Sequence, residues 1–326
     1  MARLASLSPR ARGLLRVGAG LAVVVAVVAT VGAGPFVHGL RSVSWSAVIA
    51  ALVLTGLASA AAVWRWRTVV GALGLELSWR GAIAAYYRSQ FLNAVLPGGI
   101  VGDVHRAYRH GRRTGSTALA ARAVATERIA GQVVQVALVI VVLSCLGFSS
   151  MNFASPLSGL AWGVAGLIVL ALVVVGVLSA LARGRRFLGR ELRVLGTLFG
   201  DARRTVQIVA SSIVVVAAHT TLFVIACRAA GVSASLSELV GLALVALTAG
   251  AIPLNIGGWG PREGAAASVF AAVGLGAAAG VAASTTYGVL ALIAVLPGVL
   301  VLIADRIAVP IPIPLEDQPL KEEVHA

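Results

Sequence analysis

The chain has 326 residues, of which 59% are hydrophobic and 12% charged, with a net charge of +14 and a mean hydropathy of +0.96. Soluble domains carry about a quarter charged residues, so this composition excludes an ordinary soluble protein. Several apolar runs exceed the roughly 18 residues that read as a spanning helix. The cations, all arginine except Lys321, sit in short connections beside those runs, which is the pattern of cytoplasmic loops and not of a nucleic-acid partner.

The runs are rich in Ala, Val, Leu and Gly and lack the alternating segments of an outer-membrane barrel. Helices are the remaining way to satisfy backbone groups in lipid. The expected fold class is therefore all-α, a polytopic helical membrane protein of about eight spans. Residues 1–16, with Arg3, Arg10, Arg12 and Arg16, form a basic cytoplasmic N-terminus. The run 17–34 reads as an uncleaved first span; its basic start and small residues near Gly32-Ala33-Gly34 also fit a signal peptide, for which it is long. The second span, 45–64, ends at Arg65-Trp66-Arg67, an interface anchor on the cytoplasmic side.

The segment 81–96 is apolar but short: at ~1.5 Å per residue it reaches about 24 Å, less than a ~30 Å hydrocarbon core. Tyr86, Ser89, Gln90 and Asn93 fall on one helical face. The run Leu96-Pro97-Gly98-Gly99 ends that helix, and Arg106, Arg109, Arg112 and Arg113 follow, which makes 81–106 re-entrant from the cytoplasm. The alternative is two full crossings within 68–130, giving ten spans. Residues 115–130 read as a second amphipathic helix closing on Glu127-Arg128.

Further spans are expected at 129–148, 160–182, 206–227, 239–252, 262–280 and 284–304. Arginines between 183 and 204 mark a cytoplasmic connection, and both termini are then cytoplasmic. Residues 17–305 make one membrane domain, and the proline-rich stretch 306–326 reads as a disordered tail. Cys145 and Cys227 sit late in apolar segments; they read as small buried residues, with a disulfide as the alternative.

Two breaks in the apolar pattern resemble one another. The first runs from Leu96 to Arg106; the second is Ile252-Pro253-Leu254-Asn255-Ile256-Gly257-Gly258-Trp259-Gly260-Pro261-Arg262-Glu263-Gly264. Paired interruptions in the two halves of a membrane protein point to a substrate site. In the second break, Pro261 suits the first position of a helix and Glu263 its first turn. Either the new helix offers free N–H groups to an anion, with Arg262 gripping a phosphate, or the break is a turn with Glu263 as its cap. In the first, Asp103 can cap the helix after Gly102. Arg106, one turn on, either meets the same headgroup as Arg262 or only pairs with Asp103. Glu127 and Arg128 are candidates as ionisable residues beside a span. His219, in mid-span, either faces a cavity or bonds across helices.

The candidate headgroup site is thus Arg106, Arg262, Asn93, Gln90, Tyr86, Asp103, Glu263, Gly98, Gly99, Gly257, Gly258, Glu127 and Arg128. No metal-ligand cluster, nucleotide loop or hydrolase motif is present, and no cofactor is expected.

With both breaks read, the chain resembles the transmembrane region of lysylphosphatidylglycerol synthase. The residues that carry this are Phe91-Leu92-Asn93, Leu96-Pro97-Gly98-Gly99, Gly102-Asp103-Val104 with Arg106-Ala107, Glu127-Arg128, Ile252-Pro253, Gly257-Gly258 with Gly260, and Arg262-Glu263-Gly264. The resemblance spans about 15–305 and implies a polytopic fold with re-entrant helices, a region that in full-length synthases flips aminoacylated phospholipid across the bilayer. In full-length synthases a separate soluble domain attaches the amino acid; no such domain is read in these 326 residues, so synthase activity is not expected. Asn255 stands where a small residue such as Ser is expected. The expected function is binding and translocation of an anionic lipid headgroup across the cytoplasmic membrane of a bacterium, with membrane lipids as partners. The alternative is an enzyme or accessory subunit acting on lipid-linked substrates with a separate transferase.

Overall fold

The computed structural model describes residues 28–96, 99–145, 200–252 and 259–308, with Val25 and Gly196 besides. The expected span 160–182 and the tail beyond 308 lie outside the described residues, as does most of 17–34. Among the described residues ten helices follow in order: α1 (Gly34–Arg41), α2 (Trp45–Ala72), α3 (Trp79–Val95), α4 (Val101–Thr114), α5 (Thr117–Cys145), α6 (Ala202–Ala229), α7 (Leu236–Gly250), α8 (Pro261–Ala272), α9 (Ala277–Val295) and α10 (Pro297–Ala308). Four stretches are long and apolar enough to cross a membrane: α2, α5, α6, and Ala277–Ala304, which joins α9 to the start of α10.

Polar caps start the helices where the chain leaves its turns. Ser44 accepts from the Ala47 N–H at the head of α2, Asp201 accepts from the Arg203 N–H at α6, and Ser235 with Glu238 forms a capping box at α7. The α2/α6 pair is the spine of the molecule. Near the start of α2, Ala47 and Ala51 share an apolar cluster with Phe223, Ala226 and Cys227 late in α6. Near its end, Arg65 donates to Ser212 and Thr68 to Gln207, early in α6. The two helices are therefore antiparallel. Small buried residues along α2, among them Ala51, Thr55, Ala58 and Ala62, let its neighbours approach closely.

Each break joins two short helices into a hairpin. In the first, Ser89 and Asn93 of α3 bond Asp103 and Gly102 of α4, which fixes an antiparallel pair. A Cβ on Gly102 would lie 1.9 Å from the Ser89 carbonyl oxygen, so only glycine allows this approach. In the second, α7 and α8 pack side by side and the chain reverses between Gly250 and Pro261. The hairpins enter from opposite ends of the spine. Arg67 near the end of α2 holds the Leu77 carbonyl just before α3, whereas Arg228 near the end of α6 holds the carbonyls of Val232 and Ala234 just before α7.

The order long–short–break–short–long thus occurs twice. Helix lengths are 28, 17, 14 and 29 residues for α2–α5 and 28, 15, 12 and 19 for α6–α9. Two such units with opposed hairpins form an inverted-topology repeat.

Several boundaries differ from expectation, each for a local reason. α2 runs to Ala72, past Arg65-Trp66-Arg67, because Arg65 and Trp66 are buried inside the protein rather than placed at an interface. α5 is one helix over Thr117–Cys145, with no break between the expected segments 115–130 and 129–148. Glu127 is fully buried with arginine partners, and a charge so held does not end a helix. The expected span 262–280 is two helices, because Gly274 and Gly276 (φ 82° and 87°) reverse the chain between α8 and α9. Cys145 is exposed, Cys227 buried, and both thiols are free.

Candidate functional site

The first break is organised by Asn93. Its Oδ1 accepts the Gly102 N–H at 2.7 Å and its Nδ2 donates to Asp103 Oδ2 at 3.1 Å. The expected capping role of Asp103 therefore belongs to Asn93, which reaches across from α3. Ile100 is the formal N-cap of α4 and contributes no side-chain bond. Asp103, in the first turn, is free to gather other partners. It accepts from Ser89 Oγ at 3.1 Å, from Arg106 at 3.0 Å and from Arg128 at 2.6 Å.

Arg106 also reaches Glu127 Oε2 at 3.0 Å, and its guanidinium lies over the rings of Trp66 and Tyr86 at 4.4 and 4.7 Å. Glu127 takes a second arginine on its other oxygen, Arg65 Nε at 2.9 Å, and Arg65 Nη1 donates on to Ser212 at 2.9 Å. The result is an alternating chain Arg65–Glu127–Arg106–Asp103–Arg128, with three cations and two anions and so one uncompensated positive charge. Buried charges persist only when paired and hydrogen-bonded, and each carboxylate here meets two guanidinium groups. Gly131 makes room for Arg65: a Cβ there would lie 2.7 Å from its Nη1.

The second break is closed by its own residues. Pro261 takes the first position of α8, and Glu263 Oε2 accepts the Gly260 N–H at 2.7 Å, where Gly260 has φ 131°. Arg262 Nε donates to Glu263 Oε1 and to Ser284 Oγ, both at 2.9 Å, and Ser284 donates to Glu263 at 3.0 Å. The Arg262 guanidinium lies over Tyr287 at 4.9 Å and Trp259 at 5.8 Å. This cluster is neutral, and the anion at the helix N-terminus is the chain's own Glu263.

A cavity of about 840 Å³ lies between the hairpins, within the ~300–1,000 Å³ usual for ligand sites. Asn93 and Gly99 reach it from the first break, Gly250 and Ala251 from the flank of the second. Tyr86, Gln90, Asp103 and Arg128 line it, together with Arg65, Gln132, Gln135 and His219. Arg106, Arg262, Glu127 and Glu263 are not among its lining residues. The contrast between arginines decides which can meet a ligand: the Arg128 side chain is 43% exposed, that of Arg106 0%. Gly98, Gly257 and Gly258 lie outside the described residues. His219 both faces the cavity and bonds across helices, its Nδ1 3.0 Å from the Tyr287 hydroxyl. No cluster of His, Cys, Asp or Glu among the described residues is arranged to hold a metal.

A family model described as the lysylphosphatidylglycerol synthase TM region matches residues 13–298. The chain belongs to this family. It is a multi-pass membrane protein, and the matched region contains both breaks and every cavity residue named above. No curated protein and no solved structure gives a match. Arg65, Gln132, Gln135 and His219 line the cavity and stand outside the sequence-based site. Arg65 was assigned to an interface, although the small Gly131 one turn beyond Glu127 was a signal for a bulky partner. Gln132 and Gln135 were legible as polar residues within an otherwise apolar run.

Proposed function

We propose that this family member binds the anionic headgroup of a membrane lipid in the cavity between its two hairpins and moves it across the bilayer. One observation carries this reading. The uncompensated positive charge of the five-residue ion chain ends at Arg128, which is half exposed to the cavity on which both breaks converge. A charge inside a membrane protein is costly and marks a ligand path by default. A phosphate on Arg128 would complete the alternation of signs and accept two parallel N–H bonds. Asn93, Gln90 and Tyr86 then border the head, and the acyl chains remain in lipid. Arg106 and Arg262 act from behind as positioning residues, holding the tips of the two hairpins.

The arginine-rich end, with Arg67, Arg109, Arg112, Arg113, Arg203 and Arg204, is cytoplasmic by the charge rule. The first hairpin is then re-entrant from the cytoplasm and the second from outside. The described crossings are α2, α5, α6 and α9–α10; with the sequence-expected spans 17–34 and 160–182, which lie outside the described residues, the count is six and both termini are inside. This is fewer than the eight first expected, because 239–252 and 262–280 fall largely in a hairpin. The membrane is the cytoplasmic membrane of a bacterium. For catalysis, the three candidate carboxylates Asp103, Glu127 and Glu263 are each held by arginine, which leaves none of these three free as acid or base. Any chemistry on the lipid falls to a separate transferase.

Reconstitution into liposomes with fluorescent phosphatidylglycerol, read with a membrane-impermeant quencher, tests this. Protein-dependent exposure of the inner-leaflet lipid is expected, slowed about tenfold or more in Arg128→Ala, as for loss of a hydrogen bond to a charged group. An unchanged rate in that variant removes the proposed site.

A further inference from the structure

Resting on the reading above, we infer that His219 is a proton site on the path of the head: a headgroup phosphate crosses the cavity together with a proton on this imidazole, so that lipid movement is coupled to proton movement.

His219 is the one imidazole that lines the cavity among the described residues. The other ionisable lining residues are Arg65, Arg128, Asp103, Tyr86 and Tyr108, and of these side-chain types it is histidine that ordinarily changes charge between about pH 5 and 8. Its height in the cavity follows from the ion chain. Arg65 bonds both Glu127 and Ser212, which sets one residue each of α2, α5 and α6 at a common level. Arg128 stands at that level. α5 and α6 both start at the arginine-rich end and rise from it, and Gln135 and His219 lie about two turns further on, roughly 10–12 Å at ~1.5 Å per residue. There Gln135 donates to Thr248 of α7, and Gly250 and Ala251 add to the wall. The two arginines that line the cavity both stay behind at the lower level. A head that has left Arg128 therefore meets the second hairpin with His219 as its source of positive charge.

The imidazole is satisfied with or without an added proton. Its Nδ1 is 3.0 Å from the Tyr287 hydroxyl. That hydroxyl donates to a bare Nδ1 and accepts from a protonated one, so neither state leaves a buried group unpaired. Nε2 makes no hydrogen bond among the described residues and is left for the cavity. What surrounds the ring supplies no carboxylate of its own. α9 brings Tyr287, with the Arg262–Glu263 pair of α8 behind it and Arg262 over the Tyr287 ring. α2 has Arg65 and Arg67, and α5 has Glu127 and Arg128, all at or below the ion-chain level. α7 has Glu238 in its first turn, α6 itself has Cys227 two turns on, and Asp103 lines the cavity from α4 under its own arginines. The counter-charge for an imidazolium is then the phosphate of the head. A phosphate at this height favours the proton, and the proton favours the phosphate by the same factor, since linkage is reciprocal. One proton offsets the single charge of a phosphodiester, and the two leave together.

The test uses proteoliposomes with fluorescent phosphatidylglycerol, an imposed pH gradient and the membrane potential held at zero, with protein-free liposomes as the background. With one proton per head, a gradient of about one unit should distribute the lipid about tenfold toward the alkaline leaflet, whichever way the protein is inserted. His219→Gln, whose amide can still bond Tyr287, should move lipid more slowly and leave it evenly distributed. In parallel, phosphatidylglycerol retained by the detergent-solubilised protein is counted by mass spectrometry near pH 5.5 and 8.5. Retention should fall about fivefold or more as the pH rises in the wild type and stay flat in His219→Gln. A wild type that moves the lipid but leaves it even across the gradient overturns the inference and leaves transport standing. A His219→Gln variant that follows the gradient as the wild type does overturns the assignment to His219. Absence of protein-dependent movement, with retention that depends on pH through His219, overturns transport and leaves the linkage standing; retention independent of pH in the wild type overturns the linkage.

Discussion

The two hairpins share a design and differ in charge. In each, an arginine at the head of a short helix lies over two aromatic rings and pairs with a nearby carboxylate: Arg106 over Trp66 and Tyr86 with Asp103, Arg262 over Tyr287 and Trp259 with Glu263. In the second hairpin the account closes there, with one cation, one anion and a serine. The first recruits Arg65 from α2 and Glu127 and Arg128 from α5, and finishes one charge in surplus. The shared part is a device for pinning the tip of a broken helix inside a membrane. The added part reaches the cavity, so under the proposed function ligand recognition belongs to the first hairpin, and the second contributes Gly250 and Ala251 to the wall.

Removing the central anion of each cluster is the strongest way to break this comparison. Glu127→Gln leaves both Arg65 and Arg106 short of a counter-charge in a fully buried setting. Removing one partner of a buried pair costs about 3–5 kcal/mol, and the expected loss lies at or above the top of that range, seen as a large fall in thermal unfolding temperature in detergent. Glu263→Gln strands a single arginine and weakens the cap on Gly260, with an expected cost nearer ~3 kcal/mol. Equal losses in the two variants would mean that the larger cluster is not held by Glu127 in the way the geometry describes.

Gly102→Ala probes the first hairpin without changing charge. The new methyl would meet the Ser89 carbonyl, a backbone atom with no rotamer by which to withdraw. Overpacking of this kind typically costs about 1–3 kcal/mol. Because α4 must shift to relieve it, Asp103 and Arg106 move too, and headgroup binding should weaken along with stability. A variant that is destabilised but binds lipid normally would separate helix packing from the site.

Much of both hairpin tips was legible in the sequence because the information there is local. Tyr86, Gln90 and Asn93 share a face by helical spacing, Asp103 and Arg106 are one turn apart, and Pro261 with Glu263 announces the start of α8. What was not legible depends on long-range contacts. Arg65 and Glu127 are 62 residues apart, and each read alone looks like the end of a span. The reversal at Gly274 and Gly276 hides in an Ala- and Val-rich run whose hydropathy never drops, so 262–280 passed for one helix. That error concealed the opposed direction of the two hairpins, since a continuous span there would carry α8 through the membrane instead of back to the end where α7 began. It also concealed which arginine is available. Periodicity places Arg106 beside the break, but only the packing of Trp66, Tyr86 and Glu127 around it takes it out of the cavity lining, where Arg128 stands instead.

The smallest expected change in stability comes from Arg128→Ala, and it sharpens the comparison most. Arg128 is half exposed and pairs with an Asp103 that keeps Arg106, Ser89 and Asn93. Exposed pairs contribute about 0–1 kcal/mol, and deletion also lifts the surplus charge, so unfolding temperature should barely move. Binding and movement of an anionic lipid should nonetheless fall sharply, since the one cation presented to the cavity and not buried behind it is gone. The corresponding deletion in the second hairpin, Arg262→Ala, should do the reverse: it leaves Glu263 buried with only Ser284 and the Gly260 N–H, and the cost falls on folding before any lipid is met. Opposite outcomes in these two variants would assign anchoring to one hairpin and recognition to the other. A loss of lipid binding at full stability in Arg262→Ala would instead make the hairpins equal partners around the headgroup.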